Sequence, residues 1–144
     1  MMDVSWKLTL PCEAASVRVA RRLVLAALES AGVDSEISFE IGLAMTEACA
    51  NVVEHAKAPS GYTVGVCIDG SVCRVDVIDS GVGFDLEQAP HRAADTAESG
   101  RGLSIIRELM DHVRYHRVPA GGLWVRFDKA LRDADHPAPL ALAG

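Results

Sequence analysis

Apolar and polar residues alternate from Val4 to Leu10, with Trp6, Leu8 and Leu10 on one side and Lys7 and Thr9 on the other. This predicts a half-buried strand, ended by Pro11. From Glu13 to Ala31 the period changes: Val17, Ala20, Val24, Ala27 and Leu28 recur at helical spacing, Arg18, Arg21, Arg22 and Glu29 take the other faces, and Gly32 is placed to stop the helix as its C′ residue. Asp34 or Ser35 can cap a second helix, with Glu36 in its first turn. On a wheel of about 100° per residue, Ile37, Ile41, Ala44, Met45, Ala48 and Val52 form its apolar stripe. Glu47 and Asn51, one turn apart, stack on the edge of that stripe, as a satisfied helix-flank pair or as the rim of a site. Pro59, Ser60 and Gly61 then break the helix.

Two alternating runs follow, Tyr62 to Asp69 and Val72 to Asp79, joined by Gly70-Ser71 in the manner of a tight hairpin. In the second run Cys73, Val75 and Val77 oppose Arg74 and Asp76, and Asp79 ends the strand on the apolar side, where a carboxylate needs a partner or a ligand. Gly81 to Gly102 holds no sustained period and reads as a long mobile loop. Helical spacing resumes from Leu103 to Met110. Val113 and Tyr115 then face away from His112, Arg114 and His116, and a turn over residues 119–122 leads into a last strand with Leu123, Val125 and Phe127 inward. Strands with one apolar and one polar face make a sheet covered on one side. The predicted fold is therefore α+β, a two-layer sandwich with helices over one face of a mostly antiparallel sheet.

A chain of 144 residues fits one domain, expected over residues 1–131, and the Ala- and Pro-rich residues 132–144 read as a loose tail. No apolar run is long enough to span a bilayer, and the first residues lack the basic start and apolar centre of a signal peptide. A cytoplasmic protein with no membrane partner is expected. The four cysteines, Cys12, Cys49, Cys67 and Cys73, have no zinc spacing and read as small core residues. A net charge of −6 argues against direct nucleic-acid binding.

The candidate chemistry lies in two glycine clusters. Asp79-Ser80-Gly81-Val82-Gly83 follows a strand directly, and its glycines let the backbone approach a ligand closely. Leu86 stands where a dinucleotide fingerprint needs its third glycine, and Gly81 stands where a calcium loop needs an oxygen side chain, so both motifs are rejected. At the other end of the long loop, Ser99-Gly100-Arg101-Gly102-Leu103 opens a helix, where free backbone N–H groups and an arginine suit a phosphate.

Glu47-x-x-x-Asn51, Asp79-x-Gly81-x-Gly83 and Gly100-x-Gly102-Leu103, in that order, resemble the N, G1 and G2 boxes of the Bergerat-fold (GHKL) ATPases. The stretches M-T-E-A-C-A-N-V-V-E-H-A and R-G-L-S-I-I-R-E-L-M-D are most similar to the stand-alone anti-sigma-factor serine kinases of the RsbW/SpoIIAB type, over roughly residues 4 to 128. The resemblance implies ATP and Mg²⁺ as cofactors. It gives Asn51 to the metal through its side-chain carbonyl, Glu47 to orienting or deprotonating the attacking hydroxyl, and Asp79 to the adenine amino group. It sets Gly81 and Gly83 beside the base, and Gly100, Arg101, Gly102 and Leu103 at the phosphates under a lid from Asp85 to Ser99. It implies a STAS-domain anti-anti-sigma factor and a sigma factor as partners, sharing the first-helix region with Arg18, Arg21 and Arg22, and a homodimer. A non-catalytic, ATP-gated binding module is the alternative. His55 reads as a satisfied helix-end residue. One departure stands out: where the family often has a threonine after the glycine pair of the last strand, Gly121-Gly122 is followed here by Leu123 and Trp124.

Overall fold

Two local signals set the first half of the fold. In the computed structural model, which describes residues 3–55, 61–79, 100–118 and 122–131, β1 (Val4–Leu10) leads into α1 (Ala14–Ser30) and then α2 (Ser35–His55). Gly32 takes φ +80. The N–H of Val33 bonds to the Leu28 carbonyl and that of Gly32 to the Glu29 carbonyl, both at 3.0 Å. This is the paired-bond C-terminus that a glycine at C′ permits. Asp34, rather than Ser35, caps α2: its Oδ2 accepts the Ile37 N–H at 3.3 Å.

The remaining elements are β2 (Tyr62–Asp69), β3 (Val72–Ile78), α3 (Gly100–Leu109), β4 (His112–Val118) and β5 (Gly122–Ala130). Gly70 has φ +62 while Ser71 keeps a negative φ, the pattern of a type II′ hairpin turn. The strands form one five-stranded sheet in the order β1-β2-β3-β5-β4. Every neighbouring pair is antiparallel. Register aligns Leu8, Val64, Val77, Val125 and Tyr115 in one row across the sheet, and Trp6, Val66, Val75, Phe127 and Val113 in the next. The stripe of α2 lies over this apolar face: Ile37, Ile41, Ala44, Met45, Ala48 and Val52 are all buried. The α+β sandwich expected from the patterning is the fold observed.

α2 occupies the middle of the helical layer, between α1 and α3. On the α1 side the helices approach closely at Gly42, where an added Cβ would lie 3.1 Å from the Leu25 side chain. At the far end of the layer, Lys129 of β5 donates to the Leu109 carbonyl at 2.5 Å and pairs with Glu40 of α2 at 3.1 Å. At the opposite end, the Tyr62 hydroxyl and Ser16 Oγ are 2.7 Å apart, and Cys49 of α2 lies beside Tyr62. Burial pushes the Cys49 thiol up to about 12, so it stays protonated and inert. Cys49 and Cys73 are buried as expected, whereas Cys12 and Cys67 are only half-buried.

The uncovered face of the sheet departs from expectation. Trp124, Ile78 and Asp76 all point there, yet their exposures are 0%, 3% and 4%. Among the described residues no helix is long and apolar enough to cross a membrane. Residues 132–144, expected as a tail, and most of the expected loop lie outside the described residues.

Among the described glycines Gly61 carries the tightest backbone constraint, with φ +89 and the Leu10 carbonyl oxygen 2.2 Å from where a Cβ would sit. Gly32 has positive φ but nothing within 4 Å. Gly32→Ala should therefore cost about 1–2 kcal/mol, the left-handed penalty alone, while Gly61→Ala adds a backbone clash and should cost about 3 kcal/mol or more. Urea unfolding of both variants checks the order, and equal midpoints would refute it.

Candidate functional site at one end of the sheet

The topology gathers the candidate residues. Cys49 of α2 sits over Tyr62 at the start of β2, and the β2–β3 register sets Tyr62 beside the end of β3, where Asp79 follows Ile78. Glu47 and Asn51 flank Cys49 in sequence and are both half-buried, on the edge of α2 away from the Gly42 contact with α1. α3 has its last residue, Leu109, at the Lys129 end. Over the 10 residues of the helix the chain runs back, so its first turn, beginning at Gly100, lies at the Asp79 end. The sheet end thus collects a carboxylate–amide pair on α2, a strand-terminal carboxylate and a helix N-terminus. The first-turn N–H groups of α3, over Gly100, Arg101, Gly102 and Leu103, have no intrahelical acceptors. Such donors suit an anion. The side chains of residues 100–103 lie outside the described set, as do Gly81 and Gly83 and the side chain of His55, the last residue of α2.

Asp79 is held by β5. Its N–H donates to the Leu123 carbonyl at 3.1 Å, and the Leu123 N–H donates back to Asp79 Oδ1. In a continued antiparallel ladder that last donor would go to a main-chain carbonyl. Here the side chain takes it, and the strand ends. Burial raises the carboxyl above the ordinary carboxylate range, opposed by the bond from Leu123 and by the charge of Arg117. A fixed, poorly hydrated carboxylate of this kind gains from a neutral N–H donor brought by a ligand.

A family model described as the histidine kinase-like ATPase domain matches residues 10–129. The chain belongs to that family. Its relatives include the serine-protein kinase RsbW of Halalkalibacterium halodurans, 30% identical over 118 residues that cover 74% of this chain and 72% of that one. RsbW of Listeria monocytogenes serotype 4a is 31% identical over 121 residues, covering 76% and 77%. Within the family the chain is therefore of the RsbW type. The fold also matches a crystal structure of the RsbU and RsbW domains of a Mycobacterium tuberculosis protein, with a TM-score of 0.70 and 24% identity over 91% of this chain. This chain spans only 34% of that longer one.

For an RsbW-type chain, the departure at Leu123 and Trp124 takes on a new meaning. The side chain that replaces threonine is not what meets Asp79. The main chain of Leu123 does, and a main-chain donor leaves no mark in the sequence. Trp124 turns to the far face, where its Nε1–H donates to Asp76 Oδ1 at 2.8 Å. Arg117, which faces Asp79 from β4, was also outside the expected set and carried no motif.

On the other flank of the same turns of α2, facing α1, lies a groove of about 360 Å³. Arg18 and Arg21 line it from α1, and Thr46, Val53 and Glu54 line it from α2. Arg22 is exposed on α1.

The raised titration of Asp79 fixes the sign of a pH effect. The folded state holds the proton more tightly than the unfolded one, so this residue favours folding most below the unfolded value and loses that contribution as pH rises through its folded value. Asp79→Asn keeps the acceptor for Leu123 and removes the charge. The variant should melt higher than the parent at pH 7, with the gap closing below about pH 4. Thermal unfolding at both pH values checks this, and a variant less stable at pH 7 would contradict it.

Proposed function

We propose that this protein is an ATP- and Mg²⁺-dependent protein serine/threonine kinase acting as an anti-sigma factor, which phosphorylates a STAS-domain anti-anti-sigma partner and sequesters a sigma factor. The observation that carries the reading is the gathering of Glu47, Asn51, Asp79 and the first turn of α3 at one end of the sheet in a chain of the RsbW type. The residues present fit the cofactors. Asn51 offers a single neutral oxygen, and Mg²⁺ in phosphate sites takes few protein ligands and completes its octahedron with phosphates and water. Asp79 offers an anchored, partly desolvated acceptor for an adenine amino group. The α3 N-terminus, with Arg101 in its first turn, offers donors for a polyphosphate.

Glu47, one turn from Asn51, would orient the serine or threonine hydroxyl of the partner and accept its proton. Phosphoryl transfer rests largely on positioning and electrostatics, so orientation is its larger share. Bound Mg²⁺ supplies charge neutralisation at the phosphates. The groove between α1 and α2, edged by Arg18 and Arg21, together with exposed Arg22, supports a docking region shared by the two protein partners. A homodimer working in the cytoplasm completes the reading.

Labelled phosphate should pass from Mg-ATP to the STAS-domain partner. Glu47→Ala should slow transfer by about 10²-fold or more while leaving nucleotide affinity intact, and Asn51→Ala should weaken Mg-nucleotide binding itself. Normal transfer by Glu47→Ala would remove Glu47 from the mechanism. Nucleotide-dependent partner capture without any transfer by the parent protein would establish a non-catalytic, ATP-gated module instead.

A further inference from the structure

The far face of the sheet carries a buried polar cluster that the proposed chemistry does not use. Asp76 of β3, 4% exposed, accepts the Trp124 indole N–H at 2.8 Å. It also accepts Arg126 Nε at 2.7 Å and Arg126 Nη2 at 3.3 Å. The Arg126 guanidinium lies over the Trp124 ring, 5.5 Å from its centroid, and Arg74 approaches the same carboxylate at 4.0 Å. One carboxylate on β3 thus ties down two alternate residues of β5.

Those two residues are the near neighbours of Leu123. Trp124 is paired with Ile78, and the next position along the ladder is the one where Leu123 and Asp79 exchange their bonds. Nothing at Gly122 can hold the start of β5 by side-chain packing. A slip of one residue would turn every β5 side chain to the wrong face, and even a small shift of the strand start would move the donor that aims Asp79.

We propose that Asp76, Trp124 and Arg126 form a clamp that positions Asp79 for base recognition, acting through the β5 main chain from the opposite face of the sheet. Trp124 and Arg126 are thus positioning residues, and none of the three touches the nucleotide. This rests on the reading of Asp79 as the acceptor of the adenine amino group. Through the Leu123 N–H the clamp fixes one carboxylate oxygen of Asp79 and leaves the other for the base.

The test compares Mg-ATP with the Mg complex of purine riboside triphosphate, which lacks the exocyclic amino group, on the full chain by calorimetry. Trp124→Phe keeps the ring and loses the donor. Arg126→Lys keeps the charge and loses the two-pronged bond. Each should weaken ATP about fivefold, the worth of roughly one hydrogen bond, and leave the analogue within about twofold, so that discrimination between the two collapses. Equal weakening of both nucleotides, or unchanged discrimination, would overturn the clamp's role and leave it a stabiliser of the sheet. If Trp124→Phe does not fold, Arg126→Lys carries the comparison. Asp79→Ala separates the two levels. Discrimination that survives Asp79→Ala would overturn the base assignment, and the clamp's role with it, whereas discrimination lost in Asp79→Ala but kept in the clamp variants would overturn the clamp alone.

Discussion

The ladder between β3 and β5 ends where a side chain takes over from the main chain, and the candidate site is organised around that substitution. Asp79 gives its N–H to Leu123 and receives the Leu123 N–H on its carboxylate. A carboxylate at a strand end beside a hydrophobic layer is unfavourable when left alone. The bond from Leu123 makes the position tolerable and also fixes one oxygen in direction. The rest follows from the register this requires: β3 and β5 must be neighbours, so the chain crosses through α3 and β4 to the edge before β5 returns beside β3. The crossing brings the first turn of α3 to the same end of the sheet as Asp79.

The periodicity of the chain made the helical layer legible. All six residues of the α2 stripe are buried, and the period-two runs became strands in the expected places. Local capping chemistry was legible too, although Asp34 and Ser35 are equally good caps by type and only the bond from the Ile37 N–H separates them. The far face of the sheet was not. Alternation says which residues share a face but not how well that face is covered, so Trp124 counted as an outward residue when it is fully buried. Its acceptor, Asp76, is 48 residues away, and no local pattern joins them.

Spacing alone placed Glu47 and Asn51 together on one edge of α2, whereas a contact made by the backbone left no pattern to read. The donor on Asp79 belongs to the main chain of a leucine, at a position whose side chain departs from the family's threonine. Asp79 also shows how a site can work against stability. Its surroundings disfavour the charge on its own carboxylate. Sites held in readiness for a ligand commonly retain such a cost.

α2 carries two candidate flanks on the same turns. Glu47 and Asn51 lie on one edge, while Thr46 and Val53 line the groove on the other. A hydrogen-bonded turn moves as a body, and the near contact of Gly42 with Leu25 leaves α2 little room to roll against α1. Any displacement that improves the fit of a molecule on one flank is imposed on the other. If the proposed nucleotide at one flank and a protein partner at the other each bias the position of α2, the linkage between them is reciprocal: whatever preference the first flank shows for a nucleotide when the groove is filled, the groove must show for its occupant when that nucleotide is bound.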